Sequence, residues 1–158
     1  MSSVALDSNL LLLFVVGSAS RDYIAKHKRL RAYAETDFDL LVDQLSFVSA
    51  VLLTPNTLTE TSNFIDHIGE PARSHIYQTL NALLSLPESE ERYVPSKHAT
   101  SLPELPRLGL TDCALLNLCA EGVPLITADL YSSLRSVEAR RRSTSITSAT
   151  RRYSASPC

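Results

Sequence analysis

Tryptophan is absent from the 158 residues, and Tyr and Phe together bring the aromatic share to only 6%. That scarcity excludes a design built on stacking single-stranded bases without sequence preference. Only four Gly occur, and no Gly-rich phosphate loop is present, so nucleotide-cofactor binding of that kind is excluded as well. Cys113, Cys119 and Cys158 form an odd set with no CxxC pair, which argues against a disulfide framework and against a zinc finger. Cys113 and Cys119 fall among Leu and Ala at helical spacing and read as core thiols; the cytoplasm is the expected compartment. The apolar run from Leu10 to Val16 is too short to span a bilayer. Asp7, and no Lys or Arg, precedes it, unlike the start of a signal peptide. It reads as a buried helix, and no membrane is expected as a partner.

What the chain does contain is an ordinary globular balance, 44% hydrophobic and 20% charged, with a length suited to one domain. Such a domain buries about two-thirds of its unfolded surface. The net charge of −2 hides an asymmetry. Residues 1–134 carry 9 basic and 16 acidic side chains, a balance of −7, whereas residues 135–158 carry 6 Arg and one Glu, a balance of +5. An acidic body lacks the broad basic face that nonspecific duplex binding needs.

Residues 3–7 read as a short buried strand and residues 8–17 as a helix ended by Gly17. Helical spacing continues from Asp22 to about Tyr33, with Ile24, Ala25 and Leu30 inward and Lys26, Lys28, Arg29 and Arg31 outward. This basic cluster reads as a solvated face, with contact to RNA phosphates as its functional alternative. Phe38, Leu41, Val42 and Leu45 give another amphipathic stretch. The continuous apolar run from Val48 to Leu53 suits a parallel strand covered on both faces. Thr57 can cap the helix that follows, with Glu60 three residues on as in a capping box. Pro71 opens a helix carrying Ile76, Leu80, Leu83 and Leu84. In the Pro-rich stretch 87–107, Tyr93-Val94 is the candidate strand. Thr111 is an expected N-cap for the helix bearing Ala114, Leu115 and Leu118, which ends at Gly122. Residues 123–127 are the last strand of the body, and a short helix follows Asp129. Residues 138–158, rich in Ser, Thr and Arg, read as a disordered tail.

Four acidic residues stand where these elements end or begin. Asp7 closes the first strand, Glu60 stands just past the second, Asp112 opens an apolar helix, and Asp129 follows the last strand. Open parallel sheets put their chemistry at the carboxyl ends of their strands. Carboxylates gathered there repel one another unless a divalent cation neutralises them, so the pattern points to a metal site. Magnesium prefers oxygen ligands and keeps several waters, which a few carboxylates plus a substrate phosphate satisfy. Each acid also has a plain structural account, as a helix cap or a turn residue. His27, His67, His75 and His98 lack metal-ligand spacing and read as surface residues.

The strings Leu6-Asp7-Ser8-Asn9, Leu58-Thr59-Glu60-Thr61, Thr111-Asp112-Cys113 and Ile126-Thr127-Ala128-Asp129 together resemble the PIN-domain family, which includes VapC-type toxin ribonucleases. The resemblance covers roughly residues 3–134. It implies a three-layer α/β/α fold around a mostly parallel sheet, with a nuclease domain at 1–137 and the tail at 138–158. It implies a metal-dependent ribonuclease in which Asp7, Glu60, Asp112 and Asp129 bind Mg²⁺ (or Mn²⁺), with Asn9 and Thr127 as supporting polar residues. RNA is then the substrate and a small antitoxin the protein partner, with a homodimer left open. A non-catalytic relative that binds RNA or protein is the alternative. The family's final edge strand has only a poor match in Arg140–Thr147. A phosphatase of the haloacid-dehalogenase type is disfavoured, because Asn9 stands where its second Asp is needed.

Overall fold

The computed structural model describes residues 2–128. Contacts divide the chain into Met1–Ile126 and Thr127–Cys158. The expected boundary near residue 137, the tail and the segment Arg140–Thr147 lie outside the described residues.

The first unit is built on four strands: β1 (Ser3–Leu6), β2 (Ala50–Leu53), β3 (Ser89–Glu91) and β4 (Leu125–Ile126). They form one all-parallel sheet in the order β3-β2-β1-β4. Ala5 pairs with Leu52 on one side and Leu125 on the other, so β1 is central and fully covered. Between the strands run α1 (Ser8–Ala19), α2 (Asp22–Lys26), a 3-10 turn (Lys28–Leu30), α3 (Glu35–Leu45), α4 (Pro55–Ile65), α5 (Ala72–Leu84), α6 (Ser96–Thr100), α7 (Leu105–Leu108) and α8 (Leu110–Ala120). On one face Ala5 and Leu52 pack with Ala99, Cys113, Ala114, Leu115 and Leu118 of α6 and α8. Toward the other face Leu11, Phe14 and Val15 of α1 line a shared concavity with Val51 and Leu53 of β2, and α2 to α5 surround α1. The chain is thus α/β, with helices on both faces of a parallel sheet, consistent with three layers. Among the described residues no helix is long and apolar enough to cross a membrane.

Several boundaries differ from expectation for identifiable reasons. Gly17 does not end α1, which continues to Ala19. It lets α3 approach instead: a Cβ there would lie 2.3 to 2.7 Å from the ring carbons of Phe38. The expected helix from Asp22 to Tyr33 is broken at His27, which is extended, and whose Nδ1 accepts a hydrogen bond from the Arg29 amide (3.2 Å) to start the 3-10 turn. The third strand is Ser89–Glu91 rather than Tyr93-Val94. As the sheet's edge it carries charge, a common guard against further pairing, and so it looks nothing like a strand in sequence. Cys113 is a core thiol as expected, whereas Cys119 is half-exposed.

His27 corrects the reading of all four histidines as surface residues, since its relative exposure is 0%. With Nδ1 accepting, Nε2 carries the proton, and among the described residues no acceptor meets it at good hydrogen-bond geometry, although the Phe64 and Ile65 carbonyls lie close by. Burial pushes the His27 pKa below its ordinary 6.5, reinforced by the nearby His67, while the Phe64 and Ile65 carbonyls pull the other way.

Two stability predictions follow from this packing. Gly17→Ala gains about 1 kcal/mol of helix propensity but overpacks Phe38, for an expected net loss of about 1–2 kcal/mol in thermal or urea unfolding. Adding Phe38→Leu should recover most of it; a neutral Gly17→Ala would show the ring free to move. For His27, the unfolded chain takes up the proton first as pH falls. Stability is therefore fully present above about pH 6.5 and declines as pH drops toward the depressed native value. The unfolding midpoint of His27→Gln, compared with wild type across this window, should lose that component of the slope; parallel curves would refute it.

Candidate functional site at the carboxyl end of the sheet

The strand order fixes where a site can form. From β1 the chain adds β2 and β3 on one side, then crosses back to place β4 on the other, so β1 is the point at which the winding reverses. Ligands of open parallel sheets bind in the crevice at such a reversal. Asp7 stands there, one residue past β1, and its amide donates to the Ile126 carbonyl of β4 (3.2 Å).

Asp7 is also the N-cap of α1. Its backbone is extended, and Oδ1 accepts the Leu10 amide at 2.8 Å, satisfying a first-turn donor inside a buried environment. The capping account of Asp7 is therefore realised. For Glu60 it is not: α4 begins earlier than expected, at Pro55, and is capped by Thr54, whose hydroxyl accepts the Thr57 amide at 3.1 Å. Glu60, freed from capping, accepts a hydrogen bond from Ser8 Oγ at 2.5 Å. Ser8 is the residue after Asp7, so one short tether joins the α4 carboxylate to the end of β1.

On its other side Glu60 lines an open recess of about 400 Å³, with Pro55, Asn56, Thr59, Asn63 and Thr111. Thr111 contributes because it is not the cap of α8. Gly109 is, at φ +83°, a left-handed conformation that suits glycine in the abrupt turn from α7. Asp112 consequently occupies the first turn of α8, where the helix dipole favours a negative charge, and it is exposed. Behind it Cys113 is fully buried, and burial, with Glu104 and Asp112, pushes its thiol pKa up against a smaller pull from Arg107.

Of the expected residues, then, Asp7 and Glu60 are brought together through Ser8, and Asp112 lies beside a residue of the Glu60 recess. Asn9 is the second residue of α1 and half-buried; Thr127 follows β4 and belongs to the second unit. Asp129 lies outside the described residues. Among the described residues no group of three or more His, Cys, Asp or Glu side chains is close enough to hold a metal ion. Ser8, Asn56 and Asn63 were given no role from sequence. The signal was present in Asn56, Glu60 and Asn63, spaced i, i+4, i+7 on one helix face.

A second concavity, of about 340 Å³, lies between α1, α3, α5 and β2, lined by Leu11, Phe14, Val15, Leu45 and Leu80 among others. Its lining is apolar apart from Glu88 and Ser89, so it lacks the convergent polar groups that orient a substrate. The polar recess is the better candidate. The chain matches no protein-family model, no curated protein and no solved structure.

The Ser8–Glu60 bond is charge-assisted and partly buried, and such bonds contribute about 1.5–3 kcal/mol before solvent exposure is discounted. A double-mutant cycle of Ser8→Ala and Glu60→Gln should give a coupling of roughly 1 kcal/mol in unfolding free energy. Additive losses would mean that the two side chains do not hold one another.

Proposed function

We propose that this chain is a PIN-like, metal-dependent ribonuclease that hydrolyses RNA phosphodiester bonds, acting as the toxin of a toxin–antitoxin pair in the cytoplasm. The observation that carries the reading is the pairing of Asp7, at the winding reversal of the sheet, with Glu60 through Ser8, beside a polar recess. The proposed metal set is Asp7, Glu60, Asp112 and Asp129, with Asn9 and Thr127 in support. An all-oxygen donor set fits Mg²⁺ or Mn²⁺ chemically, but Asp7, Glu60 and Asp112 alone do not close a three-ligand group, so the reading requires Asp129. When bound, such an ion polarises a phosphodiester and lowers the pKa of a water. The chain's own part is positioning. The α1 cap fixes the Asp7 carboxylate, Ser8 orients Glu60, and the amides of Asn56 and Asn63 with the Thr111 hydroxyl offer hydrogen bonds to sugar or phosphate. A small antitoxin and a second copy of the chain are the proposed protein partners.

The second reading is a non-catalytic relative that binds RNA or protein. What favours it is the lack of a three-carboxylate group among the described residues. Incubating transfer RNA and ribosomal RNA with Mn²⁺ separates the two. Discrete products are expected from wild type, abolished by chelator and reduced in Asp112→Asn on the order of 100-fold or more, as for losses around metal sites. Folded wild type that neither cleaves nor binds Mn²⁺ would leave the second reading.

A further inference from the structure

Of the nine Lys and Arg residues among the described residues, four fall within six positions: Lys26, Lys28, Arg29 and Arg31. All four are exposed, and none forms an ion pair, whereas Arg21, Arg73 and Arg92 each pair with a carboxylate. In a body whose balance is −7, carboxylates are abundant, yet this segment has recruited none. Like charges so gathered repel one another, which favours a polyanion as their partner.

The segment is also held in place. Leu30 is fully buried, the His27 ring fixes the turn by accepting the Arg29 amide, and the Arg29 guanidinium carbon lies 3.9 Å from the centre of the Phe64 ring. A guanidinium stacked in this way keeps its in-plane N–H donors available for the oxygens of a phosphate. Phe64 belongs to α4 and stands four residues from Glu60, next to Asn63, so about 6 Å separates the Cβ atoms of Phe64 and Glu60 along one helix face. The basic turn and the polar recess therefore share α4.

We propose that Lys26–Arg31 binds the phosphate backbone of single-stranded RNA and leads the strand along α4 to the Glu60 recess. The strand's fate there rests on the ribonuclease reading; the binding does not. Four cations on one turn track a single backbone, where a duplex would need a broad basic face. The Asn and Thr side chains of the recess match the 2′-hydroxyl, which distinguishes RNA from DNA.

The test is fluorescence anisotropy of a short labelled single-stranded RNA, in chelator so that the probe survives. The variants are Lys26→Gln/Lys28→Gln/Arg29→Gln/Arg31→Gln and a control, Lys97→Gln/Arg107→Gln, which removes two unpaired charges elsewhere. The quadruple variant should weaken binding at least about tenfold and reduce the slope of log affinity against log salt by about 2–3, while the control stays near wild type. Should the quadruple variant fail to fold, Lys26→Gln/Lys28→Gln keeps the Arg29–Phe64 stack and should show about half the slope change. Wild-type-like binding by either folded variant, no RNA binding by wild type, or equal binding of single-stranded DNA or polyglutamate would overturn the proposal. Wild type that binds in this salt-dependent way but cleaves nothing keeps it and removes the nuclease reading. Cleavage undiminished in the quadruple variant does the reverse.

Discussion

The burial of α1 on nearly every side is the constraint from which the rest of the architecture follows. Leu10, Leu11, Leu12, Leu13, Val15 and Val16 are all within a few per cent of zero exposure, so apart from Ser18 near its carboxyl end this helix has no exposed residue. Each such side chain contributes about 1.5–3 kcal/mol when removed from water, and together they dominate the core. A helix of that kind must be enclosed, and the sheet with α2 to α5 encloses it. Its polar atoms are concentrated at the ends. The first-turn amides, caught between strand and core, need acceptors, and Asp7 supplies one from the only place the chain can enter. The carboxylate at the winding reversal is therefore a consequence of burying α1, and capping does not exhaust it, because a carboxylate offers about four acceptor directions.

The same constraint reaches Glu60. The α4 helix lies against α1 through Thr57, Thr61 and Ile65, and Thr54, Thr57 and Thr61 are fully buried despite their hydroxyls. Their oxygens are accounted for locally: Thr54 and Thr57 bond one another at 2.9 Å, and Thr61 reaches the Ser8 carbonyl at 3.5 Å. A polar seam of short side chains lets two helices approach closely without orphaned groups. Glu60 sits at the edge of that seam, where one oxygen meets Ser8 and the residue still lines the open recess.

Sequence spacing disclosed the buried strands β1 and β2, the helix α1 and the clustering of acids at element ends, because these depend on local hydrophobic runs. It did not disclose what depends on contacts distant in sequence. Gly17 looks like a helix stop until Phe38 occupies the space above it. Ser89–Glu91 carries the polarity of a loop because an edge strand must resist pairing. His27 reads as surface because its acceptor role toward Arg29 is set by backbone geometry that no spacing encodes. Glu60 looked like half of a capping box because Thr57 is a fair cap; Thr54 with Pro55 is a better one, since Pro fits the first helical position at no cost in hydrogen bonds. Thr111 lost its expected cap for a related reason: the sharp turn out of α7 needs the positive φ of Gly109, which moves the helix start by two residues.

On the proposed reading, α4 separates two opposite charges along its length, and the order matters. Glu60, at its middle, is tethered through Ser8 to the end of β1, while Arg29 of the 26–31 segment stacks on Phe64 near its end. A phosphodiester approaching the bare carboxylates meets repulsion that falls off only over about 10 Å at ordinary ionic strength. Phe64, on which Arg29 stacks, stands about 6 Å from Glu60 along the helix, inside that range, so on this reading the basic turn can retain a strand that the acidic crevice alone would reject. Neutralising the carboxylates then becomes the condition for entry rather than for first contact. On the proposed reading, separation of the two charges by about one helical turn lets capture and cleavage depend on different groups, so that the salt dependence of binding and the metal dependence of cleavage would report on different parts of one surface.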